Sequence, residues 1–137
     1  MKDHISAVRP ATLPKPAGFS YGYEVKSGRL VFVAGQVAVG ADGRIVGRDD
    51  LVAQFRQTCA NIQAVLAAAG GEMNDLVKLT IYVLDVPDYK RHLKAIGDVY
   101  REYFGRHFPA MTLVGARDLF DAADGALIEI EGVAALA

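Results

Sequence analysis

The sequence predicts an α+β fold, a mixed sheet of about six strands with two helices on one face. Three observations lead there. The apolar pattern alternates between period two and period 3.6, giving the order β-hairpin, α, β, α, β, β. Each helical stretch carries one apolar stripe, so it can cover a sheet from one side only. The strands, however, are apolar at both parities: Leu30, Phe32 and Ala34 interleave with Val31, Val33 and Gly35. Two helices on one face leave the other uncovered, so a second copy of the chain is expected there and the protein is read as a homo-oligomer.

Pro10, Pro14, Pro16 and Gly18 mark residues 1–18 as an extended arm. Residues 21–25 can pair as a first strand. The β-branched and aromatic run from Arg29 to Val39 is followed by Ala41-Asp42-Gly43, a hairpin signal, with "RIVG" returning as its partner. Asp49 or Asp50 then caps a helix whose stripe is Phe55, Cys59, Ile62, Leu66 and Ala69, ended by Gly70-Gly71. In the next strand, Leu76 to Leu84, one face reads Val77, Leu79, Ile81, Val83 and the other Lys78, Thr80, Tyr82, Leu84. Asp85-Val86-Pro87 opens a second helix with Tyr89, Leu93, Ile96, Tyr100 and Tyr103 on one face and Gly105 as its stop. "AMTLVGA" (Ala110 to Ala116) is a strand, 117–125 a loop, and "ALIEIEGVAAL" (Ala126 to Leu136) the last strand.

Composition narrows the function classes. The chain has 137 residues, 15 basic and 16 acidic, and no basic run, so nucleic acid and anionic membrane are poor partners. No apolar run approaches the ~20 residues of a membrane helix. The N-terminus lacks a secretory h-region, and a cytoplasmic location is expected. One cysteine makes no internal disulfide, and His4, His92 and His107 have no ligand spacing, so a metal site is not expected.

The last strand is chemically the most unusual. Glu129 and Glu131 alternate with Ile128 and Ile130, so both carboxylates face one side, roughly 6.5 Å apart. The isoleucines belong under the helices, which leaves the acids on the face where a second subunit is expected. There a carboxylate either lines a cleft, with a raised pKa suited to moving protons or orienting water, or is a solvated rim residue. Gly35, closing an apolar strand, is either a point of close approach or an ordinary bulge. Phe19, Tyr21 and Tyr23 can wall a pocket or simply pack.

Together "GRLVFVAGQVAV", "VLAAAGG", "LVKLTIYVLDVPDY", "VYREYFG", "FPAMTLV" and "LIEIEGVA", in this order, resemble the Rid family, also called YjgF-like or L-PSP proteins. The resemblance runs from about Gly18 to Ala135 and implies a single domain over 1–137 with a chorismate-mutase-like fold, assembled as a homotrimer with small-molecule clefts between subunits. It also implies hydrolysis of 2-imino or enamino acids to keto acids and ammonia without a cofactor. The family's water-positioning glutamate maps onto Glu129. Its site tyrosine maps onto Tyr21, or onto Phe19 if a short insertion intervenes, and its Ser-Gly-Gln appears as Ala34-Gly35-Gln36. The carboxylate-binding arginine of Pro-Ala-Arg-Ser/Thr is replaced by Met111, followed by Thr112, and the family's cysteine and asparagine positions read Leu113 and Gly97. Arginine is a charged fork and methionine an apolar stem, so the resemblance implies a divergent subgroup. Its substrate is expected to be less anionic and more apolar; the alternative is a trimer that binds a metabolite without turning it over.

Overall fold

In the computed structural model, which describes residues 2–137, strand parity sorts the chain into two sheets. β1 (Ile5–Val8) pairs antiparallel with β2 (Gly22–Val25), from Ile5 opposite Val25 to Val8 opposite Gly22. The main sheet contains β3 (Arg29–Gln36), β4 (Leu76–Val83), β5 (Ala110–Gly115) and β6 (Ile128–Leu136). Its order is β3-β6-β4-β5, with β4 and β5 parallel and the other pairs antiparallel. The strands expected in one sheet thus divide into a two-stranded ribbon and a four-stranded mixed sheet.

The helices lie where the apolar stripes put them. α1 (Leu51–Ala68) is capped by Asp50, whose Oδ1 accepts from Ala53 N–H at 3.0 Å. Phe55, Cys59, Ile62 and Leu66 of this helix are buried against Leu79, Ile81 and Val83 of β4 and Ile128, Ile130 and Ala134 of β6. The second helix divides into α2 (Val86–Arg91) and α3 (Leu93–Phe104). The break falls at His92, where φ is -102° and ψ 14°. Its ring Nδ1 lies 2.9 Å from Asp88 O, the acceptor its own backbone N–H also uses, so side chain and backbone share that carbonyl. The break takes Leu93 off the expected apolar face and leaves it 58% exposed, while Ile96, Val99 and Phe104 stay in the core.

Three further expectations are revised. β3 does not pair with "RIVG", whose ladder shrinks to one bridge between Val39 and Ile45; its partner is β6. The backbone irregularity lies between Val33 and Gln36, and pairing with β6 resumes at Gln36 opposite Ile130. Around that bridge Val46 N–H donates to Ala38 O and Gly40 N–H to Arg44 O, both at 2.8 Å, while Asn61 Nδ2 of α1 donates to the carbonyls of Val37 and Val39, both at 2.9 Å, which face the other way. Val77 does not share a face with Leu79. An irregularity between Leu76 and Lys78 turns it to the opposite side, where it packs with Ile5 and Ala135. The arm contains β1, and His4 is buried beside it with Nε2 2.6 Å from Ala135 O.

The face away from the helices is therefore partly covered by the β1–β2 ribbon, through Ile5, Val77, Ala135, Tyr23 and Val133. The rest lies open, with Leu30 and Phe32 exposed and Phe32 at 74%. Among the described residues no helix is long and apolar enough to cross a membrane.

Candidate functional site

The alternation in β6 holds. Ile128 and Ile130 are buried beneath the helices, so Glu129 and Glu131 stand on the open face opposite Tyr82 and Thr80 of β4. Glu131 Oε1 accepts a hydrogen bond from the Tyr82 hydroxyl at 2.7 Å. Glu129 turns instead toward β3. Its carboxylate lies over Gly35, so close that a β-carbon on residue 35 would overlap Oε2. Both readings of the glycine hold: it lies in the irregularity between Val33 and Gln36, and it is a point of close approach at which what approaches is the glutamate. Partial burial pushes the Glu129 carboxyl above the usual carboxylate range, with the neighbouring charges of Asp121 and Glu131 acting in the same direction. Asp121 and Tyr82 were missed from sequence. Asp121 sits in the 117–125 loop, which has no period to read, whereas Tyr82 was already on the right parity of its strand. Gln54 of α1 holds the end of that loop: its Nε2 donates to Gly125 O at 2.9 Å and its Oε1 accepts from Leu127 N–H at 2.8 Å.

The residues assigned to binding divide between the two faces. Ala34 is exposed on the open face and lines a shallow cavity of about 410 Å³ with Phe32, Thr80, Lys78 and Glu131. Thr112 shares that side, opposite Thr80, and its Oγ1 lies 3.2 Å from Lys78 Nζ. Met111 and Leu113, opposite Leu79 and Ile81, pack against the helix-side core and are half-buried. Within one chain Met111 and Glu129 therefore occupy opposite faces, with β4 between their strands. Tyr21 comes near the start of β5, because Ser20 bridges Ala110 in parallel. Its hydroxyl donates to Pro14 O at 2.8 Å, and its ring meets Phe19 edge-on at 5.1 Å. Both candidates for the site aromatic thus belong to one small cluster.

His107, which sequence left in a turn, is a structural hub. Nε2 lies 2.6 Å from Leu76 O; a carbonyl only accepts, so this nitrogen carries the proton. The other nitrogen, Nδ1, accepts from the Tyr23 hydroxyl at 3.3 Å, which ties β2 to β4. Burial pulls the imidazole below its ordinary pKa, despite the Leu76 carbonyl. Cys59 is buried, and desolvation pushes its thiol up to about 12, which leaves it unreactive. Among the described residues no three His, Cys, Asp or Glu side chains converge as metal ligands would.

Comparison with known proteins gives this arrangement its relatives. The family model described as Endoribonuclease L-PSP matches residues 12–136. A RutC family protein of Pyrococcus horikoshii is 37% identical over 121 residues, covering 88% of this chain and 90% of that protein. A 2-iminobutanoate/2-iminopropanoate deaminase of Dermatophagoides farinae is 31% identical over 120 residues, covering 88% of each. The crystal structure of YyfB, a Rid family protein of unknown function from Yersinia pestis, superposes with a TM-score of 0.83 at 38% identity, over 97% of this chain and 99% of that one. Fold and sequence agree over nearly the whole chain, and it belongs to the Rid (YjgF, L-PSP) family.

Proposed function

We propose that the protein is a homotrimeric hydrolase that deaminates an imine or enamine metabolite in clefts between subunits. The observation that carries the reading is the Glu129 carboxylate, held over Gly35 on an open sheet face with its pKa raised. A base poised above the ordinary glutamate range can take a proton from water as the oxygen adds to the C=N carbon. The protonated carboxyl gives that proton to nitrogen to form the carbinolamine; the carboxylate then takes the hydroxyl proton and passes it to nitrogen, so that ammonia leaves, a carbonyl forms and Glu129 is again ionised. None of these steps calls for a metal or cofactor. Relatives named as 2-iminobutanoate/2-iminopropanoate deaminases support the reaction class.

The division of residues between faces supports a site completed by a second chain. Glu129, Gly35 and Ala34 would come from one subunit, with Met111, Leu113 and Tyr21 from the next lining the apolar wall. Thr112 and the Gly35 backbone would supply hydrogen bonds. Met111 brings no charge for a carboxylate, so a substrate with ring or apolar character fits better than a small 2-imino acid. That same lack of charge favours a second reading, a trimer that binds a metabolite without turnover. The reading takes the protein to be cytosolic, acting on a small molecule and not on nucleic acid.

The test is Glu129→Gln, assayed on imines generated in situ by amino-acid oxidase from phenylalanine and from alanine. Turnover is expected to fall by a factor of about 100 or more. Turnover unchanged in the variant removes Glu129 as the base, no turnover by the parent on either imine sinks the hydrolase reading, and binding without turnover selects the second.

A further inference from the structure

A second cavity, of about 280 Å³, lies between the N-terminal ribbon and the segment that follows α3. Arg9, Lys15 and Arg106 line it, and no carboxylate does. Among the described residues none of these three cations makes an ion pair. In a chain of formal net charge -1, three cations gathered without a counter-charge form a local excess.

The remaining wall is aromatic: Phe19, Tyr21, Tyr23 and Phe108. These rings are already fixed. Phe19 and Tyr21 meet edge-on, while Phe108 stacks on Tyr100 at 5.5 Å with planes 7° apart. The Tyr21 and Tyr23 hydroxyls are occupied by Pro14 O and His107 Nδ1, so polar recognition falls to the cations. The backbone is fixed as well, by pairing of Ala7 with Tyr23 and Val8 with Gly22, and by the Ser20–Ala110 bridge. Rings and backbone held before binding lower the ordering cost of taking up a ligand. The wall formed by Ala7 to Arg9 precedes residue 12, where the match to the family model begins.

We propose that this cavity binds a small organic anion carried on a single flat ring, with the ring against the aromatic wall and the carboxylate or phosphate on Arg9 and Arg106. Guanidinium forks suit either anion, and the volume is near the lower end of ligand pockets, about one ring. The site stands whether or not Glu129 turns over an imine, although it shares Tyr21 with the apolar wall proposed for that reaction.

The experiment is calorimetric titration of the full chain at low salt with benzoate, phenyl phosphate, acetate and benzyl alcohol, repeated on the double variant Arg9→Gln/Arg106→Gln. Both arginines are exposed, so the variant should keep its melting temperature. One or both ring anions are expected to bind with Kd below about 1 mM, with acetate and benzyl alcohol at least about tenfold weaker. The double variant should lose about tenfold or more for the ring anions. The stronger of the two identifies the headgroup. Failure of both ring anions to bind, equal binding of benzyl alcohol, or full affinity in the variant overturns the proposal.

Discussion

Glu129 Oε2 occupies the space that a side chain on residue 35 would need. The backbone at Gly35 is not left-handed, so alanine there meets no conformational penalty. What it meets is the end of a flexible carboxylate. Gly35→Ala is therefore expected to fold with nearly unchanged stability while displacing Glu129. Turnover should fall by about 10- to 100-fold if that carboxylate orients water. Thermal melting and kcat on the phenylalanine-derived imine check the two halves; a large loss of stability would show that the contact is structural.

The raised Glu129 pKa has two pH consequences. Turnover should fall toward acid with a midpoint above the ~4.3 of an exposed glutamate. Stability follows the same group with a definite sign. The folded carboxyl binds its proton more tightly than the unfolded one, so its ionisation destabilises the fold as pH rises between the unfolded and folded values. Glu129→Gln should therefore melt higher than the parent at neutral pH, with the gap closing below about pH 4. A gap that persists there would assign the effect to packing.

Phe32 stands 74% exposed on the uncovered part of the sheet, next to Leu30. If that face is closed by further copies of the chain, light scattering should give about three times 14.7 kDa. Phe32→Asp should then shift the mass toward the monomer, because an unpaired carboxylate would have to be desolvated at the interface. A monomeric parent at micromolar concentration would remove both the trimer and the inter-subunit cleft.

Met111 packs its apolar stem on the helix-side core of an edge strand. An arginine there can keep its stem in place and carry its charged head past the edge. The parent should accelerate hydrolysis of 2-iminopropanoate only weakly, and Met111→Arg should gain at least several-fold on that substrate relative to the phenylalanine-derived imine. Rapid hydrolysis of 2-iminopropanoate by the parent would show that residue 111 does not set specificity.

The sequence by itself determined what depends on local period. The α1 stripe, the helix starts at Asp49 or Asp50 and at Asp85, the stop at Gly105 and the alternation that turns Glu129 away from Ile128 and Ile130 are all set by residues a few positions apart; the structure chooses Asp50 as the first cap. The family resemblance was legible for the same reason, since its motifs follow these elements. Tertiary structure decided whatever needs two distant segments. β3 pairs with β6, about a hundred residues on, and the adjacent hairpin keeps only the Val39–Ile45 bridge. Val77 changes face at an irregularity, where a one-residue slip reverses a strand's sides. Gly35 was visible as a place for close approach, but only the pairing of β3 with β6 names Glu129 as the group that fills it. The separation of Met111 from Glu129 likewise depends on strand order, and period-two patterning carries no record of which strand lies beside which.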